Sequence, residues 1–97
     1  MRLSRLLCLT AAIPFVAVAH GASAAPPGAS SCSGCHALRP QPGQAVPPIA
    51  GRPSSEIVDA MAAFRAAERP ATIMTRIARG FSPEEMHAIA EWLETQR

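Results

Sequence analysis

The sequence predicts a small all-α domain behind a removable leader, and three observations lead there. Apolar residues recur at helical spacing through the C-terminal half of the 97-residue chain. No segment alternates apolar and polar residues in the manner of a half-buried strand. Ten prolines and six glycines punctuate the chain, many of them between residues 26 and 53, which predicts an irregular loop ahead of the helices. The length allows one domain and excludes a two-domain enzyme with its own nucleotide fold.

The leader occupies residues 1–24. Arg2 and Arg5 provide its positive start, and Leu6 to Ala19 is an apolar run broken only by Thr10 and Pro14. Ala22-Ser23-Ala24 then offers small residues for a peptidase, ahead of Ala25-Pro26-Pro27. Fourteen residues make only about 21 Å of helix, too short for roughly 30 Å of hydrocarbon, so the run reads as a cleaved signal and not a membrane span. Cleavage near Ala24 places residues 25–97 in the periplasm, with no membrane span left. Cys8 sits inside the apolar run without the small residues of a lipid-anchor site, and it leaves with the leader, as does His20.

All nine basic residues are arginines, and the formal charge of +2 comes from the leader. Beyond it, seven arginines face Glu56, Asp59, Glu68, Glu84, Glu85, Glu91 and Glu94. A neutral domain without a basic cluster is not a nucleic-acid binder.

A domain of this size needs a disulfide, a metal or a large cofactor to complete its interior. Beyond the leader its aromatics are Phe64, Phe81 and Trp92 alone. The two remaining cysteines lie in Cys32-Ser33-Gly34-Cys35-His36, the C-x-x-C-H spacing of c-type haem attachment. Two thiols three positions apart on one helical turn can each add to a different porphyrin vinyl group, and the next residue, His36, then lies under the iron. Gly34 keeps the turn slim beside the ring edge. Other readings are weaker. A Cys32–Cys35 disulfide closes too small a loop to stabilise much. A thioredoxin-like pair needs a βαβ setting. A zinc site needs further ligands, and only His87 is left.

Three methionines beyond the leader are candidates for the second axial ligand. Ser54–Ala67 reads as a helix capped by Ser54, with Ile57, Met61 and Phe64 on one face beside Val58. Ser82–Gln96 reads as another: Ser82 caps it, Pro83 takes the first position, and Glu85 completes a capping box. Met86, Ile89, Ala90 and Leu93 form its apolar stripe, with Trp92 on the shoulder. Met61 and Met86 therefore read as packing residues. His87 pairs at helical spacing with Glu84, Glu91 and Glu94 and reads as exposed. Met74 differs, because Pro70 breaks the preceding helix and a short helix, roughly Met74–Arg79, then runs to Gly80. A methionine at that junction can approach the iron from a separate part of the chain, flanked by Ile73 and Ile77. Met61 and Met86 remain its alternatives.

These residues resemble class I cytochromes c, small all-α haem domains. The likeness is nearest to the cytochrome subunit of flavocytochrome c sulfide dehydrogenase and rests on C-S-G-C-H at 32–36, P-P-I-A-G at 47–51, M-A-A-F-R at 61–65 and T-I-M-T-R-I-A-R-G-F-S at 72–82. The resemblance implies one covalent haem c held by Cys32 and Cys35, with His36 and Met74 as axial iron ligands. It also implies that the carbonyl of Pro47 accepts the His36 imidazole N–H, which holds the ring and raises its basicity. Only Ala25–Ser31 precede Cys32, and Pro26, Pro27 and Gly28 oppose helix, so the usual N-terminal helix is abbreviated. Relatives with two haem domains in tandem differ from this chain, which has one C-x-x-C-H.

A six-coordinate iron leaves no room for substrate, so the expected function is single-electron transfer, not catalysis by this chain. The expected partner is a sulfide-oxidising flavoprotein subunit, with other redox proteins beyond it. A free monohaem shuttle is the rival within that class. A five-coordinate haem sensor or peroxidase is the rival from another. Arg65, Arg69, Arg76 and Arg79 form either a docking rim near Met74, contacts to the haem propionates, or scattered solvated charges.

Overall fold

The computed structural model describes residues 23–97. The leader assigned to 1–24, with Arg2, Arg5, Cys8 and His20, therefore lies outside the described residues except for Ser23 and Ala24. Four helices follow in order: α1 (Ala29–Ser33), α2 (Ser54–Arg65), α3 (Met74–Ala78) and α4 (Pro83–Glu94). No strand occurs among the described residues, so the all-α expectation holds for them. None of their helices is long and apolar enough to cross a membrane.

The abbreviated N-terminal helix is five residues long. It is launched by Gly28, whose φ of 86° is open to glycine at little cost. A Cβ at Gly28 would lie 2.7 Å from the Phe81 ring and 3.4 Å from Ile89, so the missing side chain also lets α1 sit against the start of α4. Ala29, 1% exposed, seals that contact.

The loop from Gly34 to Pro53 contains no helix or strand. It is fastened at its far end by Gly51, which donates its N–H to the Leu93 carbonyl at 2.9 Å. The same carbonyl accepts from Gln96 N at 3.1 Å, so the loop is tied to the last turn of α4. Gly51 has φ +76°, and a Cβ there would meet the Gln96 carbonyl at 3.3 Å.

Helix α2 starts and stops differently from its expectation. Ser54 is its first helical residue and caps nothing with its side chain; Pro53 holds the cap position. The Pro53 carbonyl accepts from Glu56 N and Ile57 N at 3.1 and 3.3 Å, so the backbone ladder begins one residue early. At the other end the helix stops at Arg65, well before Pro70. Glu68 N donates to Ala63 O and Ala67 N to Phe64 O, at 2.9 and 3.1 Å, the paired bonds of a Schellman closure. The left-handed residue in that closure is Ala67, with φ 55°, where glycine is the usual occupant.

Helix α4 follows its signals closely. Ser82 Oγ accepts from Glu85 N at 3.2 Å, and Ser82 N donates to Glu85 Oε2 at 2.8 Å. Pro83, Glu84 and Glu85 fill the first turn, where a proline loses no helical bond and carboxylates favour the positive end. Helix α2 packs against both α3 and α4. The core is Ala29, Ile57, Ile89, Ala90 and Leu93, bordered by Cys32, Leu38, Ile49, Val58, Met61, Phe81 and Trp92.

The left-handed Ala67 gives a stability test. Ala67→Gly removes a Cβ from a conformation that costs an L-residue about 1–2 kcal/mol, partly offset by the greater freedom of glycine in the unfolded chain. Thermal or urea unfolding should show a gain of about 1 kcal/mol. A loss on substitution would contradict the closure described.

Candidate cofactor site

Apolar side chains that would fill the middle of a larger domain here line one cavity of about 530 Å³. That volume falls within the range of ordinary ligand pockets. The wall draws on every helix and on the Pro-rich loop. Cys32, Cys35 and His36 come from α1 and the turn after it, and Val46, Pro47 and Ile49 from the loop. Helix α2 adds Ile57, Met61 and Phe64, and α3 adds Met74 and Ile77. Phe81, Met86, Ile89 and Leu93 complete it from α4 and its approach.

Local backbone bonds present the two cysteines and the histidine together. The His36 N–H donates to Cys32 O at 2.8 Å and Cys35 N–H to the same carbonyl at 3.1 Å, so the chain keeps a helical turn past the last residue of α1. Gly34 N donates to Ser30 O at 3.0 Å, and a Cβ on Gly34 would come within 3.2 Å of that carbonyl. His36 Nδ1 lies 2.6 Å from the carbonyl oxygen of Pro47. A carbonyl only accepts, so the proton of a neutral ring sits on Nδ1 and leaves the Nε2 lone pair free. The loop that carries Pro47 is held at Gly51 by the bond to α4.

Cys32 and Cys35 are free thiols in different settings. Cys35 is exposed, whereas Cys32 is half-buried, and burial pushes its thiol above the ordinary value because the charged thiolate loses water. Neither a disulfide nor a βαβ setting is present at this pair. Among the described residues no three His, Cys, Asp or Glu side chains gather to hold a metal ion, so the zinc alternative has no ligand set there.

All three methionines beyond the leader reach the cavity, which periodicity did not separate. Met61 and Met86 were expected as packing residues; they are that and cavity wall as well. Met86 is 7% exposed on α4, while Met74 is half-buried at the first position of α3. His87 is exposed on α4, as its glutamate neighbours indicate. Pro47 lies in the irregular loop, eleven residues from the ring it meets, and only its family motif marked it.

The arginines divide by role. Arg69 lines the cavity and lies over the Phe64 ring at 4.9 Å, a cation–π distance. Arg65 and Arg79 turn to backbone carbonyls instead. Arg52, which no motif singled out, joins Arg69 and Glu56 as the charged residues on the wall. Its only signal was its place directly after Gly51.

No family model matches the chain. Over 62 residues, 64% of the chain, it is 37% identical to the cytochrome subunit of sulfide dehydrogenase of Chlorobaculum tepidum. The chain is similar to a cytochrome subunit. The match covers 56% of that protein, so this chain spans little more than half of its length. The likeness agrees with the resemblance drawn from the C-S-G-C-H and T-I-M-T-R-I-A-R-G-F-S segments, and with the all-α architecture.

Proposed function

We propose that residues 25–97 form a monohaem c-type cytochrome domain that passes single electrons in the periplasm after the leader is removed near Ala24. The observation that carries this reading is one apolar cavity whose wall brings together Cys32, Cys35, a His36 ring held by Pro47, and Met74. These residues fit a haem by their chemistry: two thiols on one turn, an imidazole held through Nδ1 with Nε2 unengaged, a thioether sulfur, and apolar walls.

Cys32 and Cys35 would each add S–H across a vinyl double bond, giving two thioethers with no leaving group. His36 would offer Nε2 to the iron while Pro47 O keeps the proton on Nδ1 and fixes the ring. Met74 would offer its thioether as the other iron ligand, a soft sulfur that favours the ferrous state and raises the potential. Bound haem supplies reversible one-electron chemistry at an iron whose ligands do not change. Phe64, Ile77, Ile89 and Leu93 line the same cavity and would exclude water from a group bound there. Arg52 and Arg69 give the same wall positive charge, which suits the carboxylates of a porphyrin.

The likeness to a sulfide dehydrogenase subunit supports a narrower reading, in which the chain accepts electrons from a flavoprotein that oxidises sulfide and passes them to another redox protein. The sulfide chemistry then belongs to the partner, and this chain is an electron-transfer subunit with no substrate site of its own.

Co-expression with a c-type maturation system tests the reading. One haem per chain should resist acid-acetone extraction, and the ferric protein should show the far-red methionine-sulfur charge-transfer band. Met74→Ala should abolish the band and lower the potential while leaving the haem attached. Survival of the band in Met74→Ala with its loss in Met61→Ala or Met86→Ala would move the ligand to that residue. A wild-type protein that lacks the band and binds carbon monoxide readily would favour a sensor or peroxidase. Affinity capture from periplasm should bring a flavoprotein, and its absence would favour a free shuttle.

A further inference from the structure

Met74 is the first residue of a helix only five residues long. A single turn and a half has no stability of its own, so its place is set by what holds it. On its N-terminal side Arg69 through Ile73 form part of the cavity wall and carry no helix. On its C-terminal side α3 is held twice. Ala78 is fully buried, and two arginines link the end of α2 with the stretch from Arg79, which closes α3, to Phe81.

The crossing is reciprocal. Arg65, the last residue of α2, donates from its guanidinium to the carbonyl of Phe81, the residue immediately before the Ser82 cap of α4. Arg79, the residue that closes α3, donates from Nε to the carbonyl of Arg65 at 3.4 Å. The Arg65 carbonyl belongs to the last turn of α2 and has no helical partner, and a cation there also meets the negative end of the helix. One side chain from each side therefore fastens onto backbone of the other. Backbone carbonyls cannot swing away as side-chain partners can, so the link sets the position of α3 against α2.

We propose that Arg65 and Arg79 are positioning residues that keep the Met74 sulfur at the cavity wall, acting through the C-terminal end of α3. The inference rests on Met74 being the second axial ligand. It predicts that loosening the clasp frees Met74 from the iron while the haem stays attached through Cys32 and Cys35 and the helices persist. A charge-assisted hydrogen bond lost at an exposed site should raise the detached fraction roughly fivefold or more.

The test compares ferric wild type, Arg65→Gln, Arg79→Gln and Arg65→Lys, with Arg76→Gln as a control. Arg76 is an exposed arginine on α3 itself, so that variant makes the same change of charge without touching the clasp. Imidazole binds the iron only when the methionine has left, so its apparent affinity reads the detached fraction. Arg65→Gln should bind imidazole roughly fivefold tighter or more and lose the far-red band at lower temperature. Arg79→Gln should shift in the same direction, Arg65→Lys should recover part of the loss, and Arg76→Gln should match wild type. Far-UV circular dichroism across the same temperatures separates release of Met74 from unfolding.

Equal imidazole affinity in Arg65→Gln and Arg76→Gln would overturn the proposal. So would a band that fades only in step with helicity, which would make Arg65 a general stabiliser. A wild-type protein with attached haem but no methionine band would refute the ligand assignment first and this inference with it. The failures are therefore distinguishable.

Discussion

Seven apolar side chains are buried among the described residues, three of them alanines, and Leu93 is the largest that is fully enclosed. Four helices cannot be held in one arrangement by so little, since domains of this size rarely gain enough from a core of their own side chains. The same helices converge on a cavity of about 530 Å³ whose wall includes Ile57, Ile89 and Leu93, residues that also form that core. Packing and cofactor site are thus one surface. A group that fills the cavity would bury the faces of α2, α3 and α4 together, and its removal would leave each helix with one apolar side and few partners.

Much of the remaining structure consists of local devices that set backbone at the edge of that cavity. Gly28 allows α1 to lie against Phe81, which brings Cys32 to the wall. Gly51 ties the Pro-rich loop to the end of α4, which holds Pro47 where its carbonyl meets His36 Nδ1 at 2.6 Å. The capping box at Ser82 and Glu85 fixes where α4 begins, and the arginine clasp joins that point to the end of α2. None of these interactions is individually large, at roughly 0.5–2 kcal/mol each. Their common effect is to specify the approach of residues that come from loops and helix ends, where propensity says least.

The elements readable from sequence were those with local chemical signatures. Helix α4 follows its cap, its first-turn proline and its apolar stripe, and α3 begins at the expected methionine because Pro70 and Gly80 bracket it. Cys32, Cys35 and His36 stand out by spacing, and they share one turn at the cavity wall. The errors lie where backbone bonds replace side-chain signals. Helix α2 starts from the Pro53 carbonyl and not from the Ser54 hydroxyl. It ends at a left-handed alanine that no propensity scale would choose. Met61 and Met86 are packing residues, as their helical spacing indicates; what periodicity does not show is that they line the cavity as well. Arg52 carried no motif at all, and the carbonyl bonds of Arg65 and Arg79 depend on pairs fourteen and sixteen residues apart.

The dependence of the fold on a bound porphyrin is open to one decisive measurement. The chain is purified in parallel from cells with and without c-type maturation, and far-UV circular dichroism is recorded with size-exclusion elution on both. The coloured product should be helical and compact, and the colourless one largely unfolded and expanded. A colourless chain with the same helicity and the same elution volume would contradict the central claim.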